Sequence, residues 1–264
     1  MKMNMFLTTN YINYTNCGYA LKTHGVNRGL KNKSFCLLLS FCMVWLVSCD
    51  SGDIVPKSVE YSQEGRTAQL TGTITGLDGW SSKYTLRVAS FNEDGDSPIL
   101  SKVVTSDADG KVNMLLSHIS DDATKVELCV LDRLRHRVFT LQEIDITNVS
   151  DTVHMDVGTL DASMFGLLQK KVFDERCISC HRNSENPSGQ LNLTVGKSYA
   201  SLVGKASYKY DDRILVKPYD GANSVLYQLM ESNLEEWRMP HADIIKEENI
   251  RLYIRDWIDN GAKE

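Results

Sequence analysis

The densest chemistry in the chain sits in the run Cys177-Ile178-Ser179-Cys180-His181. Two thiols three positions apart at the end of a helical stretch can reach the two vinyl groups of one haem, and the imidazole that follows falls under the iron. The spacing predicts one covalently bound haem c per chain, with Cys177 and Cys180 as thioether positions and His181 as the proximal iron ligand. Other readings use the same residue types. A zinc site wants a second Cys or His pair, and the nearest candidate, His241, stands alone. A thioredoxin-like dithiol wants a preceding strand in a βαβ unit, whereas the flank here has helical spacing. A chance match in an exported protein is the remaining reading, and the helical context weighs against it.

Iron in an electron carrier takes a sixth ligand, commonly Met, because a soft thioether favours Fe(II). The candidates are Met164, Met230 and Met239, with His241 as a nitrogen alternative. Met164 lies on the stretch that leads into the Cys pair, and Met230 lies in an amphipathic run where filling a core is the simpler role. Met239 sits in Arg238-Met239-Pro240, which has no helical period, and the Pro restricts it to an extended backbone. It follows His181 by 58 residues, enough chain to pass from one haem face to the other.

The elements that position these residues divide by period. From Thr67 to about Gly158 apolar residues alternate: Leu70, Gly72 and Ile74; Tyr84, Leu86 and Val88; Val112, Met114 and Leu116; Val126, Leu128 and Val130; Val153, Met155 and Val157. Gly76 to Gly79, Asn92 to Asp96 and Asp107 to Gly110 read as turns. About seven short strands predict an all-β sandwich of immunoglobulin-like or transthyretin-like pattern over 67–160. Cys129 lies there as a packed thiol, and His118, His136 and His154 share no ligand spacing. Beyond it the period becomes helical. Asp161 can cap a helix carrying Met164, Leu167, Leu168 and Val172; a second runs from Asn223 to Met230. A third, from about Lys246, puts Ile250, Tyr253, Ile254, Trp257 and Ile258 on one face and stops at Asn260-Gly261. Residues 161–264 are thus expected to form an all-α domain, the second of two.

Residues 1–49 hold five basic residues and no acidic one, and the apolar run Phe35 to Val47 is about 13 residues long. That is too short for a spanning helix and has the layout of an export signal. It closes on Leu46-Val47-Ser48-Cys49, which looks like a bacterial lipobox, so Cys49 is the expected lipidation site. Residues 1–48 are then a cleaved signal, with an over-extended start, and 49–66 a polar tether. Diacylation exceeds the marginal hold of a single chain. What remains carries 24 basic and 34 acidic residues, a net charge of −10, which argues against nucleic acid as a partner. Seven Cys, three of them before Cys49, leave no disulfide framework.

The Cys-x-x-Cys-His run, with Gly189-Gln190-Leu191-Asn192-Leu193, Ser224-Val225-Leu226-Tyr227, Arg238-Met239-Pro240 and the closing Ile254-Arg255-Asp256-Trp257-Ile258-Asp259-Asn260-Gly261-Ala262, resembles the single-haem cytochrome c domains of planctomycete type over about 163–264. The resemblance implies thioethers at Cys177 and Cys180, His181 as proximal and Met239 as distal ligand, and crossing first and last helices with Trp257 in their seam. Pro187 would shape the loop after His181, and Arg238 would meet a propionate. The expected function is a membrane-anchored electron carrier, not an enzyme, at the periplasmic face or outer-membrane surface, with redox proteins as partners. The alternative is a surface lipoprotein whose sandwich joins an outer-membrane complex while the haem is structural or sensory.

Overall fold

The alternating runs become seven strands: β1 (Arg66–Thr75), β2 (Tyr84–Phe91), β3 (Leu100–Val103), β4 (Lys111–Ile119), β5 (Lys125–Asp132), β6 (Arg137–Asp145) and β7 (Val153–Asp161). The computed structural model describes residues 65–182, 187–235 and 240–264. All lie within one compact unit, Glu60–Glu264. The strands form two sheets, ordered β4-β1-β7 and β3-β2-β5-β6, in which only β1 and β7 pair in parallel. Leu70 and Ile74 from one sheet share a core with Leu86, Val88, Val126, Leu128 and Val130 from the other, as in a sandwich. The period of two puts these residues on the inner faces.

The expectation of an all-α second domain is corrected. Strand is the prevailing regular structure, and among the described residues after β7 there are only α1 (Met164–Leu168), α2 (Ser198–Leu202), α3 (Val225–Met230) and α4 (Glu248–Asp259), with a π-helical segment, Gln169–Cys177, and isolated 3-10 turns. Two single β-bridges, Val203–Val216 and Ala206–Ile214, tie the intervening loops. Helices of five or six residues fall far below the roughly 12–15 at which a helix approaches stability alone, so packing holds them. Gly196, Gly204, Asp212 and Tyr219 adopt left-handed backbone conformations, with φ of 73°, 69°, 60° and 67°. Each interrupts any helix that would run through it. The cap expected at Asp161 is also displaced: Asp161 ends β7, and Ser163 caps α1 by accepting a hydrogen bond from the Gly166 N–H.

Helix α4 carries the one long amphipathic stripe among the described residues, burying Ile250, Tyr253, Ile254, Trp257 and Ile258. It ends as its sequence implies: Gly261 has φ 98°, the Gly261 N–H reaches Ile258 O, and the Ala262 N–H reaches Trp257 O, a Schellman closure. Tyr253 meets Trp80, Tyr84 and Phe139 edge-on at 6.3, 4.9 and 5.1 Å. One turn on, the buried Asp256 accepts from Ser81 and pairs with Lys83 at 2.5 Å. Trp257 packs on Phe165 of α1 at 5.4 Å. The Tyr253 hydroxyl is buried with no hydrogen-bond partner among the described residues. An orphaned hydroxyl costs about 1–3 kcal/mol of desolvation. Tyr253→Phe is therefore expected to leave stability unchanged or raise it by about 1 kcal/mol, whereas Tyr253→Ala should lose about 3–5 kcal/mol. Urea denaturation separates them, and a Phe variant as damaged as the Ala variant contradicts the packing described.

Candidate functional site

The Cys pair is delivered by the π-helical segment. The Ile178 N–H reaches Phe173 O at 3.0 Å, a five-residue step. With about 4.4 residues per turn, nine residues of this winding return Cys177 to within about 20° of Leu168. An α-helix at 3.6 residues per turn would set it about 180° away. Leu168, Val172 and Phe173 are buried, and Cys177, half-buried, packs against the same core. A helical turn follows, in which Cys180 N–H and His181 N–H reach Cys177 O at 3.2 and 3.0 Å. Cys177, Cys180 and His181 are thus brought onto one turn, with Cys180 exposed.

Described residues beyond the Cys pair, Ser188 and Leu193, hold His181. Nδ1 of His181 lies 2.8 Å from Ser188 O. A carbonyl only accepts, so Nδ1 carries the hydrogen and Nε2 is left with its lone pair, the tautomer a metal-ligating histidine needs. The Leu193 N–H donates to His181 O at 2.7 Å, and Pro187 opens the turn by accepting from Gln190 N–H at 2.9 Å. Burial, then the charge of nearby His241, lowers the His181 pKa against the opposing Ser188 bond, which favours the neutral ring. The His241 ring faces it at 6.0 Å between centroids, tilted 31°. Burial pushes the Cys177 thiol up to about 11, the opposite of the depressed value a reactive dithiol uses.

Met164 and Met230 are both buried. Met239 and Arg238 lie outside the described residues, as does Cys49. The flanks of 236–239 are anchored: Glu235 O accepts from Lys209 Nζ at 2.6 Å and from the Tyr210 hydroxyl. Beyond Pro240, Arg176 donates to Ile244 O at 3.3 Å and to both Glu247 oxygens at 2.8 and 3.0 Å. That bidentate pair ties the residue before Cys177 to the segment after His241. Sequence reading did not single it out, since 71 positions separate the partners and neither belongs to a motif. The Ser188 carbonyl was equally silent, being backbone. Among the described residues no group of three or more His, Cys, Asp or Glu side chains is gathered to hold a bare metal ion, so the zinc reading lacks a ligand set there. Among them too, no helix is long and apolar enough to cross a membrane.

The Arg176 hydrogen bonds hold the Glu247 carboxyl below its usual range. A lowered folded value stabilises above the unfolded value, about 4.3, and that contribution fades as pH falls through the folded one. Glu247→Gln should cost less than about 1 kcal/mol at pH 7, since the pair is partly exposed. The gap from wild type should close on acidification below about pH 4. Denaturant unfolding at both pH values checks this, and a gap that widens in acid refutes it.

No protein-family model matches the chain, and no curated protein matches it.

Proposed function

We propose that the chain is a membrane-anchored c-type cytochrome that passes single electrons through one haem c. In this reading Cys177 and Cys180 form the thioethers and His181 is the proximal ligand. The observation that carries it is the His181 Nδ1 to Ser188 O contact of 2.8 Å, one residue after a thiol pair with haem-attachment spacing. The chain thereby presents an imidazole with Nε2 unprotonated beside two thiols on one turn. The donor set fits the group. Each thiol adds across one vinyl double bond, sulfur bonding to one carbon and hydrogen passing to the other, so no oxidant is consumed. When bound, the haem supplies a one-electron Fe(III)/Fe(II) couple.

Met239 is the sixth ligand in this reading, through sulfur. The His241 ring, at 6.0 Å from that of His181, gives specific support to nitrogen as the alternative. Cys49 supplies the lipid anchor, the acidic mature chain meets redox proteins rather than nucleic acid, and the location is the periplasmic face or outer-membrane surface.

Expressed with haem-maturation machinery, the protein should keep its colour through acid-acetone extraction, and Cys177→Ala with Cys180→Ala should be colourless; a wild type that loses its haem to acid refutes covalent attachment. Met239→Ala should abolish the red charge-transfer band of a thioether-ligated ferric haem and admit CO to the ferrous iron, with His241→Ala sparing the band. A wild type that lacks this band, with His241→Ala and not Met239→Ala admitting CO, assigns the site to His241. Cys49→Ala should move the protein from the membrane fraction to the soluble one, and an unchanged membrane fraction removes the lipid anchor from the proposal.

A further inference from the structure

We propose that Gln169 is a positioning residue for the His181 imidazole, acting through the loop that follows the Cys pair; this rests on the haem reading above and deepens it. Gln169 begins the π-helical segment and is only 8% exposed. Its neighbours Leu168, Val172 and Phe173 are fully buried and apolar, so packing alone would be served by Leu. A buried amide is costly unless its hydrogen bonds are met. Here they are: Nε2 donates to Asp174 Oδ1 at 2.7 Å and to Leu193 O at 3.0 Å, and Oε1 accepts from the buried Ser198 hydroxyl.

The Leu193 residue is thereby gripped from both ends. Its carbonyl is held by Gln169, and its N–H is committed to His181 O at 2.7 Å. The described stretch that leads into Leu193, from Pro187, carries Ser188, whose carbonyl sets the His181 ring. Gln169 therefore fixes where the chain returns after His181, and with it the length and direction of the Nδ1–H···O=C bond. That bond makes a ligating imidazole a stronger base, and a stronger base favours Fe(III). A loosened loop weakens it and favours Fe(II).

The test uses the full-length holoprotein with Gln169→Leu, which keeps the packing and drops the amide, and Gln169→Asn, whose shorter arm cannot span to Leu193. Ser198→Ala spares the Gln169–Leu193 bond. Both Gln169 variants should still hold haem through acid-acetone. At a fixed applied potential each should shift the reduced-to-oxidised ratio about threefold to tenfold toward reduced, tenfold being about 59 mV for one electron. The His181 Nδ1–H of the ferrous protein should exchange faster with solvent by NMR, and Ser198→Ala should shift the ratio less. Gln169 variants that unfold more easily yet keep the wild-type ratio and exchange rate overturn the inference, leaving Gln169 as scaffold and the haem reading standing. A wild type without covalent haem overturns the haem reading instead, and this inference with it.

Discussion

Tyr253 and Trp257 stand one turn apart on α4 and bury into different neighbours. Tyr253 enters an aromatic cluster with Trp80, Tyr84 and Phe139 of the β part, and Trp257 lies on Phe165, which in turn meets Phe173 and Tyr199. Phe173 belongs to the segment that ends at Cys177. A single amphipathic helix therefore couples the sheets to the winding that aims the Cys pair, through aromatic contacts that are edge-on around Tyr253 and tilted between Trp257 and Phe165. The short helices around it have too few internal hydrogen bonds to stand alone. Loss of the α4 stripe would remove the surface on which α1 and the π-helical segment are laid.

That dependence explains which parts of the fold were legible. The strands follow from alternation, because a sheet with one buried face imposes a period of two and the turn residues mark its limits. Helix α4 follows for the same kind of reason, its stripe and Gly261 closure both being local. Outside α2 and two 3-10 turns, residues 187–224 are loops, and they were not legible as such. Leu191, Leu193, Leu202 and Val216 are apolar and partly or fully buried, yet their burial comes from tertiary packing, not from any repeat. The π-winding was hidden as well: Leu168, Val172 and Cys177 fit helical spacing loosely, and only the hydrogen-bond register distinguishes five-residue from four-residue steps.

At the site, the residues named by motif are Cys177, Cys180 and His181, and the structure sets them on one turn. What orients them carries no motif. The Ser188 carbonyl is available to every residue type, Gln169 looks like one more polar residue in a helical run, and Arg176 finds Glu247 only after the chain has folded. Supports of this kind are assembled from backbone groups and long-range pairs, so they become visible only in three dimensions.

These supports are made by protein groups alone. His181 is held by Ser188, Leu193 is held by Gln169, and Arg176 is held by Glu247. Ordering a side chain at the moment of binding costs about 0.5–1.5 kcal/mol for each one immobilised. In the proposed function that cost is met during folding for the proximal side. The π-helical segment places two thiols and an imidazole whose tautomer is already set, so attachment needs no rearrangement of the turn that carries them. The segment that carries the Cys pair is held by the Gln169 and Ser188 hydrogen bonds, and Arg176 holds the segment His241–Glu247 to it. In the proposed function Cys177, Cys180 and His181 belong to the first segment and the distal ligand, Met239 or His241, comes at or just before the second, so the Arg176–Glu247 pair links the two stretches of chain that supply the iron's ligands.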